Sequence, residues 1–121
     1  MNYFSRDELK CKCGCNEYYF DDYALERLNL IRDEARFPFI LSSAYRCKDH
    51  PIEKAKDRLG EHQTGRAVDV LCWGKQAIRV LELATWYDVP RIGINQKGEH
   101  GKRFIHLGWN TDFPVPAIWS Y

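Results

Sequence analysis

Net charge is nearly missing from this 121-residue chain: 18 Lys and Arg stand against 17 Asp and Glu, leaving +1. That removes the electrostatic case for a nucleic-acid partner or an anionic membrane surface. No apolar run approaches the ~20 residues of a membrane span. The opening Met1-Asn-Tyr-Phe-Ser-Arg-Asp7 lacks the basic-then-apolar pattern of a secretory leader. Repeats, linkers and low-complexity tracts are also missing. Cysteine is present in an odd number, five. Cys11, Cys13 and Cys15 alternate along the chain, while Cys47 and Cys72 stand alone. The two Cys-x-x-Cys pairs of a zinc ribbon are therefore absent. Alternate positions of an extended segment point to opposite faces, which argues against a compact metal site at residues 11–15. The expectation is free thiols with at most one pair, a bridge from the N-terminal cluster to Cys47 among the options.

What is present is an ordinary globular composition, 45% hydrophobic and 29% charged. One domain over residues 1–121 is expected, large enough for a real core. Ser5 caps a short helical turn over Arg6–Leu9. Asp21 or Asp22 starts a helix to about Ala35, with Leu25, Leu28, Ile31 and Ala35 at spacings of three and four. Pro38 stops it, and Phe39–Leu41 reads as a short buried strand. Lys48–Glu61 is a polar loop with a turn of helix near Ile52–Arg58. Arg66–Leu71 is a strand, Lys75–Tyr87 a second amphipathic helix closed by Pro90. Arg91–Ile94 and Arg103–Leu107 form a hairpin across the polar turn Asn95–Gly101. The tail, residues 111–121, packs its aromatics back on the domain. Together these give an α+β fold: a small antiparallel sheet with helices packed on one side.

The stretch His62-Gln-Thr-Gly-Arg-Ala-Val-Asp69 carries the chemistry. His62 sits on a loop, Gly65 supplies a turn, and Asp69 lies in an apolar strand. Imidazole and carboxylate are both zinc ligands, at about 2.0–2.2 Å. A third ligand must come from elsewhere, and His106 in Phe104-Ile-His-Leu107 is the best placed of the four histidines. The plainer alternative is that Asp69 caps a turn and His62 is a solvated loop residue. His50, beside Pro51, reads as a surface residue. Trp73, Trp86, Trp109 and Trp119 read as core or rim.

Ser43-Ala-Tyr-Arg-Cys47, then His62…Gly65-x-Ala67-x-Asp69, then Gly93-Ile94, then Phe104-Ile-His106 occur in this order. The series resembles the M15-type zinc peptidases, D-Ala-D-Ala carboxypeptidases and phage L-Ala-D-Glu endolysins, whose fold recurs in the hedgehog signalling domain. The resemblance spans residues 4–109. It implies that His62, Asp69 and His106 hold one Zn²⁺ with water in the fourth position, the open pattern of a catalytic zinc. It also implies that Arg46 lies at the active site, where a guanidinium fork suits a substrate carboxylate or a developing oxyanion. The bland alternative for Arg46 is a surface pair with Asp49 or Glu53. Relatives carry an acid three residues before the last ligand or two after it. Here those positions are Arg103 and Gly108. Glu99 and His100, on the hairpin turn, are then the candidates for proton transfer, with Glu61 a third.

The implied function is a zinc metallopeptidase cutting peptidoglycan stem or cross-link peptides. The implied partners are peptidoglycan peptides, with the protein a monomer. With no leader, it would reach the cell wall by phage-type release and otherwise stay cytoplasmic. A second reading keeps fold and zinc but makes the chain a non-catalytic cell-wall or virion binding module. A third has His62 and Asp69 as hydrogen-bonded partners with no metal.

Overall fold

A computed structural model describes all of residues 1–121. The chain forms, in order, α1 (Arg6–Leu9), α2 (Asp22–Ala35), β1 (Ile40–Ser43), α3 (Pro51–Lys54), a 3₁₀ turn at Glu61–Thr64, β2 (Ala67–Leu71), α4 (Lys75–Trp86), β3 (Arg91–Asn95), a 3₁₀ turn at His100–Lys102, β4 (Phe104–Gly108) and β5 (Ala117–Ser120). The class is α+β, as the periodicities predict.

Local chemistry explains the boundaries. Ser5 and Glu8 form a reciprocal capping box on α1. The Asp21 side chain accepts from the Ala24 N–H and starts α2, which ends at Arg36 in the left-handed region. His50 does more than sit on the surface: its Nδ1 accepts from the Ile52 N–H at 3.1 Å and caps α3. The helix expected over residues 52–58 is thus shorter and starts at Pro51, whose missing N–H is harmless at a first helical position.

The five strands lie in the order β1-β2-β4-β3-β5. All neighbours are antiparallel except β3 and β5, which are parallel. The tail therefore does more than pack its aromatics; it adds a fifth strand. Its Pro114 and Pro116 hid that from sequence, because Pro demotes a strand reading. One face of the sheet carries Leu41, Val68, Val70, Ile92, Ile105 and Leu107. These join Ala24, Leu28 and Ile31 of α2 and Ala77, Val80, Leu83 and Ala84 of α4 in one core cluster. Truncating Leu28, with no exposed surface, to Ala is expected to cost about 2–5 kcal/mol.

The other face is polar at its centre. One row of paired residues crosses the whole sheet: Ser43 opposite Asp69, Asp69 opposite His106, His106 opposite Gly93, and Gly93 opposite Trp119. Directly opposed residues share a face of the sheet. Four pieces of the spaced sequence pattern, Ser43, Asp69, Gly93 and His106, are therefore one lateral row in three dimensions.

Candidate metal centre

Register alone brings Asp69 and His106 together, and the 3₁₀ turn brings His62. Gly65 makes this possible. It sits at φ 71°, and a Cβ there would lie 2.4 Å from the Tyr19 ring, so both the backbone and the space demand glycine. The donor atoms of His62, Asp69 and His106 all lie within 4.8 Å of one another. His62 Nε2 is 3.3 Å from Asp69 Oδ1, and His106 Nδ1 is 3.0 Å from the same oxygen. The two rings stand nearly perpendicular, at 82°. All three residues are buried.

The outer partners decide what those atoms present. His62 Nδ1 donates to the Ala44 carbonyl at 2.8 Å. His106 Nε2 donates to Glu61 Oε1 at 2.8 Å. Each imidazole, when neutral, then turns a lone pair toward Asp69. Two lone pairs and an anionic oxygen facing one another repel unless a cation or a proton lies among them. The donor set therefore fits a divalent metal ion, and the carboxylate behind His106 is the usual companion of a metal-ligating histidine.

Glu61 was considered from sequence only as a proton acceptor. Its surroundings assign it a different task. Besides His106, it accepts from Arg91 Nε at 2.9 Å and from the Asn110 N–H at 3.2 Å. Gly108 makes its room: a Cβ there would fall 2.1 Å from Glu61 Oε2. An acid at position 108, sought in the sequence, is replaced by Glu61 entering the space that Gly108 leaves. Nothing in the spacing signalled this.

Electrostatics follow from these contacts. Burial works against charge on Asp69, but hydrogen bonds from His106 and His62 outweigh it and hold the carboxyl below the usual range. Burial likewise opposes charge on Glu61, and His106, Arg91 and the Asn110 amide overcome it, lowering its pKa. Burial opposes a proton on His106, yet its hydrogen bonds to Asp69 and Glu61 win and raise its pKa.

Arg46 lies beside the cluster, its Nη2 3.6 Å from Asp69 Oδ2 and its Nη1 3.2 Å from Glu53 Oε2. The Glu53 pair offered as the plain alternative is real, but its side chain has no exposed surface, so it is no surface pair. Lys56 completes the charge balance on Glu53 at 3.1 Å.

Glu99 and His100 are not brought to the ligands. They sit beyond the end of the hairpin, whose last pair is Asn95 with Phe104. Glu99 is exposed and 3.9 Å from Lys102, while the His100 ring stacks on Trp73 at 4.2 Å. On the opposite flank, Trp119 packs over Gly93 and lies 5.1 Å from the His106 ring. Tyr121 and Phe104 continue that aromatic wall. Trp109 is part of the core.

A small α+β fold with two imidazoles and a carboxylate converging on the polar face of its sheet defines the class: a protein with a candidate metal centre. The chain belongs to the peptidase M15 family, whose family model matches residues 2–108. M15 peptidases are metal-dependent, which agrees with the donor set. No curated protein and no solved structure gave a match. No helix is long and apolar enough to cross a membrane.

Proposed function

We propose that the chain is a zinc metallopeptidase acting on peptidoglycan stem or cross-link peptides, with His62, Asp69 and His106 as the metal ligands. The observation that carries this reading is the pair of outer hydrogen bonds, to Ala44 and Glu61, that turn both imidazole lone pairs onto one carboxylate oxygen. Bound there, zinc supplies a Lewis acid and a water of lowered pKa. The rest falls to the chain's own groups. Glu61 fixes the tautomer and orientation of His106. Arg46, held by Glu53, presents positive charge next to Asp69, where it can pair with a substrate carboxylate or a developing oxyanion.

Charge balance supports an anionic substrate. Asp69, Glu61 and Glu53 are offset by Arg46, Arg91 and Lys56. A divalent ion then leaves the site net positive, which favours a peptide carrying a free carboxylate. The aromatic wall of Trp119 and Tyr121 offers one flat flank for the peptide. Glu61 is fully committed, so proton transfer would fall to Glu99 or His100 only with the hairpin tip folded over the metal, away from its present place beside Lys102 and Trp73.

The test is incubation of zinc-loaded protein with muropeptides, reading new amines, with His62→Ala as control. Cleavage by the wild type alone is expected. No cleavage anywhere between about pH 5 and 9, a span that contains the roughly pH 5–8 window in which histidine changes charge, overturns the reading.

One observation favours a second reading, a non-catalytic zinc-containing module for cell wall or virion. The carboxylate behind the cluster is spent on His106, Arg91 and Asn110. Such a module would sediment with peptidoglycan yet release no amines.

A further inference from the structure

A second cluster of ligand atoms, separate from the sheet row, joins the N-terminal arm to the loop after β1. The sulfurs of Cys11, Cys13, Cys15 and Cys47 all lie within 4.8 Å of one another. Sequence alternation argued against this, because an extended segment would splay the thiols. The segment is not extended. Gly14 at φ 98° and Asn16 at φ 61° curl it, and the Cys11 N–H closes the loop on the Glu17 carbonyl at 2.9 Å. Cys47, 36 positions from Cys11, meets it from the loop after β1.

The distances are informative. Cys11–Cys13 is 3.5 Å, Cys11–Cys47 is 3.6 Å and Cys13–Cys47 is 3.5 Å. A disulfide needs about 2.05 Å. A tetrahedron with metal–sulfur bonds of about 2.3 Å has edges of about 3.8 Å. The observed separations sit near the tetrahedral edge and far from a disulfide. Two sulfurs also receive backbone donors: the Cys47 N–H points at Cys11 Sγ at 3.3 Å, and the Glu17 N–H at Cys15 Sγ at 3.2 Å. Such N–H donors steady thiolate charge around a metal.

We propose that Cys11, Cys13, Cys15 and Cys47 form a closed, four-sulfur structural site for Zn²⁺, separate from the His62/Asp69/His106 centre. Four thiolates leave no open position, so this site stabilises without reacting. All-sulfur tetrahedral donors select zinc over the oxygen-seeking ions. Its place suggests what it secures. Cys47 follows Arg46 directly, the Arg46 N–H bonds the His62 carbonyl at 3.2 Å, and the Tyr45 N–H bonds the Leu9 carbonyl at 3.1 Å. The metal therefore fastens the N-terminal arm to the loop that carries Arg46. Cys72, buried elsewhere in the core, takes no part.

The test uses the full chain loaded with zinc or with cobalt(II), in three forms: wild type, His62→Ala/His106→Ala, and Cys13→Ser/Cys15→Ser, whose altered positions are exposed. Two zinc ions per chain are expected in the wild type and one in each double variant. The cobalt form should show a thiolate-to-metal charge-transfer band in the near ultraviolet. That band should persist in the histidine variant and vanish in the cysteine variant. Because the histidine variant lacks the sheet site, failure of the peptidase reading leaves this readout intact. Titrating wild-type thiols with a mercurial should release one zinc as four thiols are consumed. A folded wild type with no charge-transfer band, or thiols that react without releasing metal, would overturn the proposal. So would a disulfide among these four cysteines in freshly purified protein.

Discussion

The two ligand clusters are built by opposite means. The sheet cluster takes two of its three donors from adjacent strands, Asp69 and His106, where register fixes which side chains meet. The cysteine cluster takes three of its four from one irregular loop, where curling at Gly14 and Asn16 does the same work. The first is buried and backed by carboxylate and carbonyl partners. The second has two buried and two exposed members, with backbone N–H groups as its partners. Three donors leave a coordination place open, while four close the shell. Chemistry is therefore expected at the sheet row and reinforcement at the arm.

The sharpest way to separate the two is to delete sheet ligands one at a time. His62→Ala, Asp69→Ala and His106→Ala should each reduce amine release from muropeptides to background while the arm keeps its metal. Retained activity in any of the three would break the division of labour. Next comes Arg46→Ala, expected to lower kcat by about 10²–10³-fold, the usual loss for one oxyanion partner. Arg46→Lys should recover only part of it, since an ammonium cannot reproduce the fork. Third, the paired change Glu99→Gln/His100→Gln should lower kcat by about 10²-fold if the hairpin tip handles the proton. An unchanged rate would remove the tip from the mechanism.

The fourth prediction concerns the support behind the sheet site. Glu61→Gln should weaken zinc there by about 10–100-fold. Gly108→Ala, which drives a methyl into the Glu61 carboxylate, should weaken zinc as well and destabilise the fold by about 1–3 kcal/mol. Neither should change the cobalt–thiolate band of the arm. The smallest effect belongs to Glu53. Burial opposes its charge, but Lys56 and Arg46 overcome that and lower its pKa. A lowered carboxyl contributes stability that is present above its unfolded pKa, about 4.3, and lost as pH falls through its folded value. Glu53→Gln should therefore make the acid side of the stability profile shallower, as read by denaturant midpoints at a series of pH values.

Legibility followed the same divide. α2, α4 and β2–β4 were readable because apolar spacing and period-two runs report directly on burial. That His62, Asp69 and His106 come together was suggested by polar residues inside or beside apolar strands, and the three were named as one set through the resemblance to M15 peptidases. What escaped was whatever depended on through-space fit. Glu61 stands behind His106 only because Gly108 lacks a side chain, and no spacing rule encodes that vacancy. β5 escaped because the prolines before it masked a strand that pairs parallel to β3. The cysteine loop escaped because alternation implies an extended chain, and left-handed residues at Gly14 and Asn16 reverse that inference.

The most direct measurement is an anomalous difference map, at the zinc absorption edge, from crystals of zinc-loaded protein. A peak about 2.0–2.2 Å from His62 Nε2, Asp69 Oδ1 and His106 Nδ1, with no fourth protein ligand, is the predicted result. Ordered density for those three side chains with no anomalous peak among them would contradict it.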